Sequence, residues 1–398
     1  MQLLKYKYRL YPTTDEISRL KQIAGSARFV WNNYLHKEME SYKVTGKFNF
    51  FKSNCCDLTQ LKKTTTWLTE SPAVSLQQSI RYLDQSLTQS FKSAKNQKGF
   101  PKFKSRKASD CSFTLTMVSL KTNIKPTAFY IPKVGNIKCI YHREIPSEFK
   151  SCQVKQVANK WFVVLTCQKP KAQKVQISKI IGIDLNSKEH VMSDGTRFLV
   201  PKYLRENQVQ LKNLQRNLAR KKKGSTNKAK AAVKLRKVND RVTNQRADYF
   251  HKLSKTLVDN YDLICIENLD VKGIQQKYGK VIQDNGFAML RYFLTYKTDL
   301  YGKHLSVINR WYPSSQKCSA CHSLNKHLLS ERTYRCKSCG FELDRDLNAA
   351  IVIEQVGTTS PEVQVFLPSK NAFGATQTPQ LNLLIGILGR NELGSSVL

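Results

Sequence analysis

Four cysteines, Cys318, Cys321, Cys336 and Cys339, fall as two Cys-x2-Cys pairs with 14 residues between the pairs. This spacing can bring four thiolates to the corners of a tetrahedron, which constrains the surrounding chain to two tight knuckles facing one another. Four protein ligands fill the coordination of zinc and leave no open position for a reacting water, so one structural zinc holding a small flap rigid is expected. Thiolates also suit iron, and the spacing alone does not separate the two. The total of 11 cysteines is odd, which points to metal in a reducing compartment rather than to a disulfide frame. The others, Cys55, Cys56 and Cys265 among them, read as ordinary thiols.

Lys317, Lys326, Arg332, Arg335 and Lys337 make the flap basic, and the whole chain follows the same trend. Lys plus Arg total 66 against 29 Asp plus Glu, a net charge of +37 that is hard to hold compact without a polyanionic partner. Nucleic acid and an anionic membrane surface both answer to that description. With 40% hydrophobic and 10% aromatic residues the chain has the apolar material to fold, which excludes a disordered basic tail. Its 398 residues suit two or three domains. The longest apolar run, Leu383 to Leu388, falls far short of the roughly 20 residues of a membrane-spanning helix. The N-terminus MQLLKYKYRLYP lacks the uninterrupted apolar stretch of a signal peptide, so a cytosolic protein is expected.

Leu4, Tyr6, Tyr8 and Leu10 alternate with Lys5, Lys7 and Arg9, the period of a strand with one buried and one basic face. Thr13 to Glu16 offers a capping box, and apolar residues at helical spacing follow from Ile17 to Leu35 and again from Leu76 to Phe91. From Gly99 to about Pro170 short β-rich runs take over, such as Ser112 to Thr116 and Trp161 to Thr166. The first strand could join this β-domain, making the helical block an insertion. In Gly99 to Lys107, aromatics interleave with basic residues, Lys102 and Lys104 among them. Nucleic-acid contact and a solvated basic linker with two core-anchoring phenylalanines suit that composition equally. Lys212 to Lys237 reads as a long helical stretch with 11 basic residues and no acid, densest at Arg220, Lys221, Lys222 and Lys223. Such a run repels itself strongly unless phosphates screen it, which favours nucleic-acid contact.

Three acids carry the chemistry. Asp184 closes the apolar run Ile180 to Ile183, Glu267 closes Leu263 to Ile266, and Asp346 opens Asp344-Arg345-Asp346-Leu347-Asn348-Ala349-Ala350-Ile351, a helix start. Strand-end and cap acids are common structural residues, but each of these sits where it would reach the same pole of one sheet. Converging carboxylates supply the hard oxygen ligands of magnesium, here enough for two ions acting on a phosphodiester. Asp344 and Asp346 compete for the third position. A helix beginning near residue 345 makes Asp344 the natural N-cap and leaves Asp346 in the first turn, so Asp346 is the choice.

In order, Lys5-Tyr6-Lys7-Tyr8-Arg9-Leu10-Tyr11-Pro12, Arg28-Phe29-Val30-Trp31-Asn32, Phe100-Pro101-Lys102-Phe103-Lys104, Gly182-Ile183-Asp184-Leu185, Leu218 to Ser225, Ile266-Glu267-Asn268-Leu269, the four cysteines and Asp344 to Ala350 spell a known pattern. Over roughly residues 1–355 the chain resembles the TnpB family, RNA-guided DNA endonucleases of bacterial insertion sequences related to the type V CRISPR effectors. Asn186 to His190 looks less typical of that family.

The resemblance implies a multi-domain α+β fold. A wedge-like β-barrel (1–12 and 99–176) would hold an inserted helical recognition domain (13–98). An RNase H-like RuvC α/β nuclease domain (177–310 and 340–356) would carry a zinc-ribbon insert for target nucleic acid (311–339), followed by a poorly structured C-terminal tail (357–398). It further implies Asp184, Glu267 and Asp346 as the catalytic triad on magnesium, a guide RNA from the transposon end, and double-stranded DNA cut beside a short motif. One protein copy on one RNA, at the bacterial nucleoid and without membrane contact, completes the expectation.

Three rival readings differ in class. A guide-RNA-dependent DNA-binding repressor that no longer cuts would be expected to lack one of the acids. A transposase, or an accessory factor to one, could use the same nuclease fold with acids ordered Asp, Asp, Glu, whereas here the order is Asp184, Glu267, Asp346. A zinc regulator would leave the two acid-tipped apolar strands and the basic helices unexplained.

Overall fold

The computed structural model describes residues 2–92, 99–105, 111–116, 123–145, 149, 151–157, 160–270, 273, 286–325 and 331–368, and the structural statements below concern these. Arg106, Lys107, Lys326 and the apolar run 383–388 lie outside them. The fold is mixed α+β and divides into two compact units, Met1–Lys171 and Ala172–Leu398.

In the first unit, β1 (Gln2–Tyr11) buries Tyr8 and Leu10 completely and leaves Lys5 and Lys7 exposed. Helix α1 (Thr14–Thr45) starts at a reciprocal cap, with the Thr13 N–H donating to Glu16 Oε2 at 2.7 Å and the Glu16 N–H to Thr13 Oγ1 at 3.4 Å. It ends at Gly46, whose φ of 68° suits the left-handed closing residue of a helix. Helices α2 (Phe50–Thr64) and α3 (Ala73–Lys92), with a 3-10 turn at Thr66–Glu70 between them, close a core of Val30, Tyr34, Leu35, Leu58, Leu68, Leu76, Ile80 and Leu83. The chain then forms β2 (Ser112–Thr116), β3 (Ile124–Lys125), β4 (Ala128–Ile131), β5 (Gly135–Ile140), β6 (Ser151–Val157) and β7 (Lys160–Lys169).

These strands pair antiparallel in the order β2-β6-β7-β1-β5-β4-β3. The first strand therefore lies inside the sheet, and α1 to α3 interrupt the sheet's chain. The edge strands β2 and β3 do not pair among the described residues, so this is an open half-barrel and not the closed barrel expected.

In the second unit, β8 (Ile180–Leu185), β9 (Glu189–Met192), β10 (Arg197–Leu199), β11 (Leu263–Glu267) and β12 (His304–Ile308) form one sheet in the order β10-β9-β8-β11-β12. Strands β8, β11 and β12 run parallel. A parallel strand covered on both faces reads as an unbroken apolar run, which is why β8 and β11 do. Ile181, Ile183, Ile264 and Ile266 pack on Phe250, Leu253, Leu257, Leu290 and Leu294 of one helical layer. Leu263 and Cys265 pack with Ile353 in the other. The helices are α4 (Tyr203–Glu206), α5 (Gln208–Arg220), α6 (Thr226–Asn260), α7 (Phe287–Tyr301), α8 (Arg345–Gly357) and α9 (Pro361–Gln364), and the hairpin β13 (Thr333–Arg335)/β14 (Glu342–Asp344) precedes α8.

Four sequence expectations shift here. The basic stretch 212–237 is two helices, because Gly224 takes a φ of 87° and the Ser225 side chain caps α6 by accepting the Lys228 N–H. The second unit begins at Ala172 and not at 177, since the Val175 N–H donates to Gly302 O and the Ile177 N–H to Phe366 O. That last bond also corrects the tail: residues 357–368 pack, with Val363 buried beside Ile177 and Leu263. The cysteine flap extends past 339, because β13 pairs with β14 from Arg335↔Glu342 to Thr333↔Asp344.

Candidate active site and metal centre

Strands β8 and β11 are in parallel register, with Ile183 opposite Ile266, so Asp184 and Glu267 follow at the same carboxyl pole of the sheet. Helix α8 lies across β8 so closely that a Cβ on Gly182 would sit 2.1 Å from Ala350 O and 2.7 Å from Glu354 N. Only glycine permits that approach, and it lets the first turn of α8 bring Asp346 to the same pole. The carboxyl of Asp184 is pushed up to about 8, by burial first and then by the charges of Glu267 and Asp346. Burial raises Glu267 as well, against the opposing hydrogen bond from the Ser314 hydroxyl. Asp346 is buried and accepts from Arg345 Nε and Nη2 at 3.4 and 3.3 Å and from Arg332 Nη1 at 3.5 Å. The Asn186 amide donates to Asp184 Oδ2 at 2.7 Å.

Asp344 is otherwise occupied. Its Oδ1 accepts the N–H groups of Asp346 and Leu347 at 3.1 and 3.0 Å as the cap of α8, and Arg197 pairs with it at 3.0 Å. The structure thus brings Asp184, Glu267 and Asp346 together. A buried Asp184 facing the charges of Glu267 and Asp346, with oxygen donors only, belongs to a set that a hard dication such as magnesium would relieve. Gly182→Ala is expected to destabilise the chain by about 1–3 kcal/mol, because the atoms it meets are helix backbone. A denaturant midpoint measures it, and turnover at the site should fall further than stability as Asp346 is displaced.

The four cysteines also converge: their sulfurs lie within 4.8 Å of one another, with Cys318–Cys339 at 3.8 Å and Cys321–Cys336 at 3.5 Å. A tetrahedral site with Zn–S of about 2.3 Å has edges of about 3.8 Å, so the thiols fit zinc. They are the one close ligand cluster among the described residues. The two knuckles are the same turn built twice. The N–H of the residue after each second cysteine, His322 and Gly340, donates to Cys318 O and Cys336 O at 3.0 Å, with φ of 61° and 74°. The Cys336 thiol is pushed down to about 5, chiefly by the Ser323 hydroxyl, which favours the thiolate a metal needs.

The first knuckle is fastened to α8. Asn348, fully buried, donates to Lys317 O at 2.8 Å and accepts the Ser319 N–H at 3.0 Å, while Gln355 donates to Ser319 O at 2.8 Å. The cysteine centre and the third acid therefore share one helix. Sequence reasoning missed Asn348, Ser314, Asn186 and Arg345 as partners of the site. Gly182 was the readable signal, a glycine inside an apolar strand.

Arg220 to Lys223 are exposed at the junction of α5 and α6. In the first unit, the segment bearing Lys102 and Lys104 is clamped to α1. Trp31 Nε1 donates to Lys102 O at 3.1 Å, and the Asn32 side chain bonds both backbone groups of Lys104 at 2.9 and 2.8 Å. Phe100 and Phe103 are exposed and do not anchor the core. The Lys104 ammonium lies 3.5 Å above the Trp31 ring, and burial lowers it to about 8. A cavity of about 430 Å³ beside this segment is lined by Arg28, Gln78, Tyr82, Thr114 and Gln153.

Three families match the chain in succession: "Helix-turn-helix domain" over residues 1–47, "Probable transposase" over 162–277 and "Cas12f1-like, TNB domain" over 287–353. The first of these spans β1 and the single helix α1 here. A Streptomyces pristinaespiralis protein named as a candidate RNA-guided DNA endonuclease is 33% identical over 87% of both chains. The Escherichia coli protein InsQ, named in the same way, is 28% identical over 87% of this chain and 90% of its own. Among solved structures, a Cas12f1–guide RNA–target DNA complex covers 87% of this chain and 82% of that one, with a TM-score of 0.53 and 17% identity, a likeness of fold. A mimivirus protein named TnpB-like, 36% identical over 35% of this chain, carries the family's name. With the identity spread over nearly the whole length and the acid-tipped sheet and cysteine flap both in place, this chain belongs to the TnpB family.

Proposed function

We propose that this protein is an RNA-guided, magnesium-dependent endonuclease that cuts double-stranded DNA beside a short transposon-associated motif, through a single RuvC-type site in an RNase H-like domain. The observation that carries the reading is the cluster of Asp184, Glu267 and Asp346, in which burial first, and then the charges of the other two, push Asp184 above the carboxylate range. The names of the relatives point the same way.

Magnesium, when bound by these carboxylates, supplies Lewis acidity and an activated water for in-line attack on phosphorus. Asp184 offers the ligand whose charge is most penalised without a cation, so cation binding and loss of its proton are coupled. Ser314 orients Glu267, and Asn186 orients Asp184. Arg345 and Arg332, against Asp346, lend positive charge to the rim a phosphate would approach. A single structural zinc in the cysteine flap holds the start of α8.

The half-barrel and the α1 to α3 bundle correspond in this reading to the wedge and recognition domains. A guide RNA from the transposon end supplies sequence specificity while Arg220, Lys221, Lys222, Lys223, Lys102 and Lys104 grip backbone phosphates. One chain acts on one RNA at the bacterial nucleoid.

The test is co-expression with the flanking transposon DNA, sequencing of RNA that purifies with the protein, and incubation with magnesium and plasmids carrying the guide-matched target beside randomised bases. Wild type is expected to linearise plasmids sharing one flanking motif, and Asp184→Ala to bind RNA and DNA without cutting. Binding without cutting by wild type would replace this reading with that of a guide-dependent repressor.

A further inference from the structure

Strand β12 ends at Ile308, opposite Glu267, and the chain then turns at Asn309. The Asn309 side chain accepts the Trp311 N–H at 3.0 Å, and its backbone oxygen accepts the Tyr312 N–H at 3.1 Å. Tyr312 packs inward against the cluster of Leu263, Cys265 and Ile353, and its hydroxyl accepts from Lys317 Nζ at 2.7 Å. The turn is thus fixed from both sides, and it presents Trp311 outward with 83% of its surface exposed. Three residues further on, Ser314 donates its hydroxyl to the Glu267 carboxylate. That span is at most about 10 Å of chain, so the indole stands at the rim of the carboxylate pole. Arg310 precedes it, 40% exposed and 3.8 Å from the Asp270 carboxylate, and on α7 Arg291 reaches Asn268, the residue after Glu267, at 2.5 Å.

An exposed indole on a fixed turn, with cationic neighbours, is the pairing that single-stranded nucleic acid uses, bases on the ring and phosphates on the arginines. A protein partner would want an apolar patch, and the neighbours in sequence, Asn309 and Arg310, are polar and exposed. A DNA duplex hides its base faces in its own stack, so only an unpaired strand can use the ring.

We propose that Trp311 is a substrate-positioning residue, a stacking platform for one base of the unpaired DNA strand entering the carboxylate site, with Arg310 beside it for the adjoining phosphate. The proposal rests on the nuclease reading for its substrate, and its test does not depend on cleavage.

Full-length protein in EDTA is titrated with a short oligothymidylate and with its abasic counterpart, which has the same phosphates and no bases. The ratio of the two affinities isolates stacking from the general pull of a basic chain. Wild type is expected to prefer the base-bearing strand, the preference to fall about tenfold in Trp311→Ala, and Trp311→Phe to keep most of it. Unchanged melting temperature checks that the exposed substitution leaves the fold intact, and an equal loss of affinity for both oligomers would reflect folding alone and overturn the proposal. A ratio that is the same in Trp311→Ala as in wild type overturns it too. Failure of wild type to cut DNA with magnesium would sink the nuclease reading and leave this ratio to be read on its own.

Discussion

Asp184→Asn is expected to raise the melting temperature of the magnesium-free protein at pH 8 while abolishing cleavage. The sign follows from the proton. In the folded chain the Asp184 carboxyl titrates near 8, against an ordinary 3.8, so the folded state keeps a proton that the unfolded state has lost. Stability in EDTA therefore falls as pH rises from about 4 to about 8 and levels off above. Asparagine has no such penalty. The variant and wild type should melt together near pH 4 and separate by roughly 5–10 °C at pH 8, a few kcal/mol across a unit of this size. Magnesium should narrow the gap by stabilising wild type alone. Calorimetry across the pH series decides it; a variant that melts lower than wild type at pH 8 would mean that Asp184 is a structural residue and not a carboxylate held charged for a cation.

The second large effect concerns the cysteines. Wild type is expected to carry one zinc per chain by metal analysis, and the Cys318→Ala, Cys336→Ala double variant to lose it together with most of its cleavage. Structural zinc in small domains contributes on the order of 10 kcal/mol of apparent binding free energy, more than a two-strand hairpin of three residues each can replace. The damage should travel. The knuckle at Lys317 and Ser319 is bonded to Asn348 and Gln355, and β14 runs directly into the cap of α8. Amide exchange should therefore rise in the hairpin and the first turns of α8 while β8 and β11 stay protected. Full cleavage by the double variant would separate the flap from the active site.

How much of this was legible depended on whether the signal was local. The acid-tipped strands were readable because β8 and β11, buried on both faces, carry apolar residues until they reach the open carboxyl edge of the sheet. The knuckle spacing was readable because two turns and four sulfurs fix it. Asp344 and Asp346 were separable by capping rules alone. The open sheet was not, since pairing between strands far apart in sequence leaves no periodic trace. The residues that orient the acids were invisible for a related reason. Asn348 meets Lys317, and Ser314 meets Glu267, across separations that no spacing rule spans. The break between α5 and α6 was in plain sight at Gly224 and Ser225, but the density of charge there drew the reading toward one helix.

The register of the second sheet also has a meaning for the chain as it is made. Synthesis delivers β8 with Asp184 first, then β11 with Glu267, then the cysteine hairpin, and only afterwards the helix with Asp346. A nascent chain on the ribosome holds one acid from residue 184, two from residue 267, and all three only from residue 346. The third arrives on a helix whose start is pinned by the hairpin made just before it, and Phe366 bonds Ile177 later still. Under the proposed activity, no fragment made before residue 346 carries the full set of acids, so a cell translating this protein beside its own DNA is spared a cutting intermediate until then.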